Sequence, residues 1–225
     1  MSSWRIITRA SAPHHAPERD DAFTLVELLV SVAILGFVLG VTFLLLTSVQ
    51  SMASRLDAHA AATDEARQAV DVMTRELRMA QTPPTGNWGG ALYVGNAQDR
   101  RLSFWADVTR DGTVDLVTYK VVGNSLVRTL TPLVTQTTLG TEGAPRTLVA
   151  TLGASTPIFS YFDKTPTELT TGGGTSSLDS SEIAACVAVE LDVTAAADDR
   201  TSHSTQTARL DTWVRLRSID AAIGN

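Results

Sequence analysis

The sequence predicts an α+β protein in which one long N-terminal α-helix, membrane-spanning in its first half, packs on an antiparallel β-sheet domain. An uncharged apolar run occupies residues 28–46, and a helical pattern of apolar and small residues continues to about residue 81. Short alternating segments separated by turn residues follow from residue 91. A chain of 225 residues is long enough for one compact domain and an appendage.

The composition argues against nucleic acid as a partner. The formal net charge is -6, and the 18 Lys and Arg residues are scattered rather than clustered. Cys186 is the only cysteine, so the chain forms no internal disulfide. Its apolar neighbours predict a small buried strand residue rather than a reactive thiol.

The run from Leu28 to Leu46 is predicted to span a membrane. It carries no charge and approaches the length of about 20 residues that a spanning helix needs. The nearest basic residues are Arg5, Arg9 and Arg19 before the run and Arg55 after it. This asymmetry predicts a cytoplasmic N-terminus and an exported remainder. A cleaved secretory signal is disfavoured, because its apolar region is about 7–15 residues long and ends at a small-x-small site.

Glu27 is the anomalous residue of this segment, because it lies inside the apolar stretch near its N-terminal edge. An ionisable side chain costs about 2.5–3.5 kcal/mol at the bilayer centre and less near the interface. Such a residue has either a partner and a function, or a side chain that simply reaches the headgroup layer. The position alone leaves both interpretations open.

The residues from Ala22 to Glu27 closely resemble the processing motif of type IV prepilins and type II secretion pseudopilins. The resemblance implies that a prepilin peptidase cleaves between Ala22 and Phe23, removes the leader 1–22 and N-methylates Phe23. It also implies a single-pass inner-membrane protein with a periplasmic domain. The implied partners are other pilins or pseudopilins, the peptidase and an inner-membrane assembly platform. Ala22 departs from the usual Gly, and the leader is less basic than is typical.

The resemblance also gives Glu27 a role in assembly, as the fifth residue of the mature chain that neutralises the terminal amine of a neighbouring subunit. Opposite charges about 4 Å apart attract by about 4 kcal/mol at an effective dielectric near 20. Gly36 and Gly40 form a G-x-x-x-G pair that either allows close helix approach or reflects ordinary membrane composition. The absence of proline from the run favours a minor subunit.

The helical pattern continues beyond the apolar run to residue 81, where Pro83 and Pro84 follow. Its predicted packing stripe comprises Val49, Met52, Leu56, Ala60, Thr63, Ala66, Val70, Met73, Leu77 and Ala80. The predicted organisation is therefore a leader at 1–22, a transmembrane and assembly helix at 23–48, an amphipathic continuation at 49–81 and a β-rich domain at 82–225. We expect the stripe to pack on that domain.

Strands are predicted in the β-rich domain wherever short apolar or alternating segments occur. The predicted strands are 91–94, 101–106, 114–122, 125–131, 147–152, 157–162, 183–193 and 207–217. Gly123-Asn124 predicts a two-residue hairpin turn. The polar segment 163–182 predicts a mobile exposed loop.

The segment from Asp111 to Tyr119, followed by Leu126-Val127-Arg128, resembles the globular domain of minor pseudopilins of the J type and minor pilins of the W type. This resemblance implies an accessory subunit of a type II secretion pseudopilus or a type IV pilus. The alternative is a membrane-tethered ligand-binding or adhesin module that does not polymerise.

Catalytic and metal sites are weakly indicated. Asp107, Asp111 and Asp115 are candidate Ca²⁺ ligands, but their spacing does not fit an EF-hand, and Asp-Gly turn chemistry is the favoured explanation. No nucleophile elbow, phosphate-binding loop, CxxC or HExxH motif occurs. We therefore expect no enzymatic activity and no cofactor, with calcium left open.

Overall fold

The computed structural model describes residues 24–83, 90–135, 138–153, 157–169, 177–201 and 204–216. The chain divides into two compact units, Met1–Ser48 and Val49–Asn225. The helices are α1 (Leu25–Leu77) and α2 (Ser180–Ala185). The strands are β1 (Arg101–Ala106), β2 (Asp115–Val122), β3 (Ser125–Thr135), β4 (Thr138–Leu139), β5 (Arg146–Val149), β6 (Phe159–Phe162), β7 (Glu168–Leu169), β8 (Ala188–Asp198) and β9 (Thr205–Arg215).

The second unit contains two antiparallel sheets. One has the order β1-β2-β3-β4, with β5 also paired to β3, and the other has the order β7-β6-β8-β9. Apolar side chains from both sheets and from the C-terminal part of α1 form one core, which includes Met73, Leu77, Phe104, Tyr119, Val149, Tyr161, Leu191 and Val193. The predicted fold class, a long helix packed on antiparallel β-structure, is confirmed.

The buried face of α1 differs from the predicted stripe over its first turns in this unit. The buried residues of α1 are Ala58, Ala62, Ala66, Ala69, Val70, Met73, Glu76 and Leu77. The stripe is correct from Ala66 onward, but Val49, Met52, Leu56 and Ala60 are exposed. Alanines occupy the buried face instead, because small side chains allow the helix to lie close to the sheets.

The β2–β3 hairpin forms as predicted. Val122 pairs with Ser125, and Gly123-Asn124 makes the two-residue turn. Gly123 has φ +61°, a backbone conformation that a residue without Cβ adopts at no steric cost.

The segment predicted as the strand 183–193 is wrong at its start, because Ser180–Ala185 forms α2 and the strand begins at Ala188. Asp179 caps this helix by accepting hydrogen bonds from the main-chain N–H groups of Ser181 and Glu182, each at 2.8 Å. The Glu182 carboxylate accepts in return from the Asp179 N–H at 2.8 Å. This capping box satisfies N–H groups that the first helical turn leaves free.

The described parts of the polar segment 163–182 contain more regular structure than predicted. It contains β7 and the start of α2, and Leu178 is buried in the core, with its N–H donating to the Ala97 carbonyl at 3.0 Å. Residues 170–176 lie outside the described part of the chain. The predicted strand 91–94 is reduced to a single bridge between Leu92 and Phe104.

Cys186 is buried as predicted, but it caps α2 instead of lying in a strand. Burial raises the pKa of its thiol to about 11, so the reactive thiolate is disfavoured at neutral pH.

Candidate functional site

The N-terminal end of α1 carries the predicted assembly residue. Thr24 precedes the helix, and its Oγ1 accepts a hydrogen bond from the Glu27 N–H at 3.2 Å. Glu27 lies in the first turn, where a negative charge interacts favourably with the helix dipole. Its side chain is exposed, and among the residues described no salt bridge involves it. The carboxylate is therefore presented at the start of the apolar segment.

The apolar surface of α1 is exposed along the first unit. Leu25 is 77% exposed and Phe37 is 74% exposed, and the large apolar side chains between residues 25 and 46 are uncovered throughout. The hydroxyls of Ser31 and Thr42 donate to the carbonyls four residues earlier, both at 2.8 Å. Because these polar groups are satisfied inside the helix, they suit an apolar environment. By length and composition, α1 is sufficient to cross a membrane.

Gly36 and Gly40 lie four residues apart on this exposed surface. A Cβ atom added to either residue would meet no atom within 4 Å. The pair therefore makes a shallow notch in the helix surface, with no packing partner in the described part of the same chain. This is the geometry that allows a second helix to approach closely.

Exposed apolar residues continue along α1 into the second unit. Val49 and Met52 are each 65% exposed, and Leu56 is 60% exposed. Their spacing of three and four residues places them on one helix face. These side chains were predicted to pack on the β-rich domain, but they instead form an apolar strip available to another molecule.

The predicted cleavage site between Ala22 and Phe23 lies outside the described residues. Its role, like the assembly roles of Glu27, Gly36 and Gly40, stays a prediction.

Of the three candidate calcium ligands, Asp107 and Asp111 lie in the connection between β1 and β2, and Asp115 is the first residue of β2. Asp107 Oδ2 accepts from the Gly112 N–H at 3.1 Å, and Asp111 Oδ1 accepts from the Thr113 N–H at 2.8 Å. Asp115 is buried, and its pKa is raised by that burial and by the neighbouring carboxylates. No group of three acidic, His or Cys side chains within the described ranges is arranged to hold a metal ion. Asp107 Oδ2 and Asp111 Oδ1 therefore make turn hydrogen bonds, and calcium binding at these residues stays a prediction.

A buried polar cluster that the sequence analysis did not predict connects α1 to the β2–β3 hairpin. Glu76 Oε2 accepts from Arg128 Nε at 2.8 Å and from Tyr119 Oη at 2.5 Å. Tyr119 and Arg128 face each other across the two strands. Burial, followed by the Glu76 carboxylate, raises the pKa of Tyr119 well above its usual value. Tyr119 and Arg128, which lie on the two strands of the predicted hairpin, thus both donate a hydrogen bond to Glu76 on the helix.

Further polar contacts hold α1 at the beginning and near the middle of its buried part. The buried Asp199, in the β8–β9 connection, accepts from Ser54 Oγ and lies 3.7 Å from Arg55 Nε. Glu65 Oε1 accepts from the Ala150 N–H at 2.6 Å, just after β5. These contacts fix the position of the helix within the second unit.

Comparison with known proteins bears on the N-terminal segment. Residues 19–43 match a family model described as the prokaryotic N-terminal methylation motif. The chain carries a prepilin-type methylation motif. This match confirms the resemblance to type IV pilin-like proteins inferred from the residues around Glu27. It covers the predicted cleavage site and the glycine pair but not the β-rich domain.

The remaining comparisons are weaker. The chain is similar to a chain in the crystal structure of the GspK-GspI-GspJ complex from the enterotoxigenic Escherichia coli type 2 secretion system. The identity is 14%, the TM-score is 0.39, and the match covers 69% of this chain and 97% of that chain. A likeness at this level does not establish a shared function. A search of curated proteins found no match.

Proposed function

We propose that this chain is a minor pilin-like subunit that assembles through α1 into the pseudopilus of a type II secretion system or into a type IV pilus. The methylation motif at residues 19–43 is the observation that carries the proposal. Methylation of an N-terminal residue follows removal of a leader, so the motif implies a new terminus directly before an apolar helix. Such a helix is retained for membrane anchoring and subunit packing.

The exposed surface of α1 supports packing against other subunits. A helix used only as an anchor needs an apolar surface across the bilayer, but the apolar strip continues to Val49, Met52 and Leu56. Separately from that strip, the notch at Gly36 and Gly40 allows a neighbouring helix to approach closely within the apolar run. In this proposal the helix lies in the inner membrane with its N-terminus cytoplasmic, and the unit from Val49 onward is periplasmic.

In this proposal, Glu27 sets the position at which a subunit aligns with its neighbour in the filament. Its carboxylate is exposed at the first turn of α1, where the amine of a neighbouring processed subunit would neutralise it. In water-excluded surroundings this pairing favours docked over undocked subunits. The prepilin peptidase and an inner-membrane assembly platform are the further partners that this process requires.

The proposal is tested by exchanging the carboxylate in cells that contain the filament machinery. We expect Glu27→Leu to reduce the amount of this chain in sheared filaments roughly tenfold or more, because the terminal amine of the neighbour loses its counter-charge. Quantitative immunoblotting of filament and membrane fractions measures the effect. The double variant Glu27→Leu/Leu28→Glu is the matched control, since it keeps one carboxylate but turns it about 100° around the helix.

Both variants should accumulate in the membrane, and both should be excluded from filaments. If both enter filaments as well as the unmodified chain does, the Glu27 carboxylate does not set the register of assembly. If the unmodified chain is itself absent from filaments, the chain is a membrane-tethered module that does not polymerise.

A further inference from the structure

Strand β9 is a long open edge in the second unit. Its 11 residues pair with β8 without interruption, from Ala188 opposite Arg215 to Asp198 opposite Thr205. It is the last strand of its sheet, and no strand described here pairs with its other side. Of the other outer strands, β4, β5 and β7 have two to four residues, and the six residues of β1 are partly covered by the bridges to Ala80 and Leu92. A long regular edge presents unpaired main-chain groups and is a template for another strand.

The main-chain groups available at this edge are identified by two hydrogen bonds. The Leu216 N–H donates to the Val187 carbonyl at 2.9 Å, and the Ser204 carbonyl accepts from the Asp199 N–H at 2.8 Å. In an antiparallel strand the N–H and C=O of one residue face the same side, and successive residues alternate. The main-chain N–H and C=O groups of even-numbered β9 residues therefore face β8. Those of odd-numbered residues, such as Thr207, Arg209 and Asp211, face the open edge.

We propose that a second copy of this chain binds at this edge, with the two β9 strands antiparallel and a two-fold axis at Leu210. Arg209 then lies opposite the partner's Asp211, and Asp211 lies opposite the partner's Arg209. Thr207 lies opposite the partner's Trp213. The main-chain groups of Thr207, Arg209, Asp211 and Trp213 face those of the partner strand, so they match the hydrogen-bond pattern of an antiparallel ladder.

Charge selects this register among the alternatives. A slip in one direction places Arg209 opposite the partner's Arg209, and a slip in the other places Asp211 opposite the partner's Asp211. Like charges directly opposite each other destabilise a strand pair. In the register centred on Leu210, each Arg209 lies opposite an Asp211, and all 11 residues of β9 overlap with the partner strand.

The outer face of the sheet is acidic at the point where the partner's arginine would arrive. Asp211 lies directly opposite Asp192 on β8. Arg209 already donates to Asp192, with Nε to Oδ1 at 2.9 Å and Nη2 to Oδ2 at 2.6 Å. Burial, followed by the carboxylates of Asp192 and Asp211, raises the pKa of Glu190 nearby. A second arginine beside Asp211 would offset this concentration of negative charge.

An aromatic side chain on the same face also gains cover from the partner. Trp213 is 49% exposed, and its ring packs on Phe162 with centroids 4.1 Å apart. The partner's Thr207 would lie directly across from it and cover part of the exposed indole. An exposed indole with one face already packed is a common anchor at protein interfaces.

The first test maps the register by disulfide formation in the full chain, solubilised in detergent and carrying Cys186→Ala. Leu210 is the only β9 residue that would lie opposite the same residue of the second copy. Non-hydrogen-bonded antiparallel pairs have Cα atoms about 4.5 Å apart, and this distance suits a disulfide. We expect Leu210→Cys to give a cross-linked dimer on mild oxidation. Ala208→Cys and Thr212→Cys should not cross-link alone but should do so when mixed. No cross-link at residue 210, or equal cross-linking at all three sites, would overturn the proposal.

The second test exchanges the charges and measures the dimer by sedimentation of the same detergent-solubilised chain. Arg209→Asp and Asp211→Arg should each weaken dimerisation roughly tenfold or more, because each creates like-charge pairs across the axis. The double variant restores opposite charges and should dimerise like the unmodified chain, and circular dichroism checks that each variant is folded. Single variants that dimerise normally, or a double variant that stays monomeric while folded, would contradict the proposal.

This interface is independent of filament assembly through α1. Glu27→Leu should leave the residue-210 cross-link unchanged, so a failure of one proposal does not entail a failure of the other.

Discussion

Glu76 is a charged residue on the buried face of α1, and its neighbours explain its position. Its side chain is 7% exposed and that of Arg128 is 13% exposed, so the ion pair is largely removed from water. Burying a carboxylate is costly unless it is paired and hydrogen-bonded, and Tyr119 supplies the second donor. The cluster therefore specifies which part of the helix meets the β2–β3 hairpin.

Removing the arginine should be strongly destabilising. Arg128→Met leaves the Glu76 carboxylate buried without a counter-charge, and we expect a loss of about 3 kcal/mol in the free energy of unfolding. Denaturant unfolding of the detergent-solubilised chain measures it. Lys120→Met breaks the more exposed pair with Glu142 and should cost less than about 1 kcal/mol. Equal effects of the two substitutions would show that the buried cluster has no special role.

Asp115 gives a pH-dependent prediction. Its pKa is raised by burial and by the carboxylates of Asp111 and Asp107, so folding disfavours its charged form. A raised carboxyl pKa favours the folded state at low pH, and this contribution is lost as the pH rises through the folded pKa. Asp115→Asn should therefore raise the Tm at pH 7, with a smaller difference near pH 3. Thermal unfolding at both pH values measures the effect.

The calcium hypothesis predicts the opposite result for the same variant. If Asp115→Asn lowered the Tm at pH 7, and did so only with added CaCl₂, the charged carboxylate would be serving a bound cation. That outcome would contradict the account of Asp115 as a crowded, buried side chain.

The sequence predicted some of these residues but not their connections. Tyr119 and Arg128 were identified through a family resemblance, whereas Glu76 was missed because a search for apolar periodicity passes over a charged residue on the buried face. The presence of a nearby charge partner depends on tertiary structure, which local patterns do not encode.

Helix α1 illustrates what periodicity predicts at the scale of an element. The existence of the helix and its buried face beyond Ala66 followed from the three- and four-residue spacing of apolar residues. Nearer to residue 49 two faces compete, one with larger apolar residues and one with alanines. The alanine face is buried, because close approach to the sheets limits side-chain volume there.

This assignment of the buried face is testable with one substitution on each face. Ala62 is fully buried, so Ala62→Leu should overpack the helix–sheet contact and lower the free energy of unfolding by about 1–3 kcal/mol. Ala60 is exposed, so Ala60→Leu should change it by less than about 0.5 kcal/mol. Denaturant unfolding compares the two variants. A larger loss in the free energy of unfolding for Ala60→Leu than for Ala62→Leu would support the buried face predicted from the sequence instead.

The short helix α2 shows how a local signal was overlooked. Residues 183–193 were predicted as one strand from their apolar content, but Asp179 and Glu182 form a capping box that starts a helix. The spacing of these two residues was visible in the sequence. The β2–β3 hairpin, by contrast, was correct because Gly123-Asn124 specifies its turn directly.

At the scale of the whole molecule, the chain joins a segment suited to lipid and helix packing with a unit that has its own core. The N-terminal segment was predictable from sequence because its signal is local: an uncharged run, a carboxylate at its edge and a short motif. The pairing of the nine strands described could not be read in the same way. It depends on contacts between distant segments, such as the hydrogen bonds that place β6 beside β8.

The most direct measurement of the central claim is mass spectrometry of the mature N-terminus. The chain would be purified from membranes of cells that possess a prepilin peptidase, with cells lacking the peptidase as the control. We predict a mature chain that begins at N-methylated Phe23 in the first case and an unprocessed leader in the second. An intact leader in cells with an active peptidase would contradict the account.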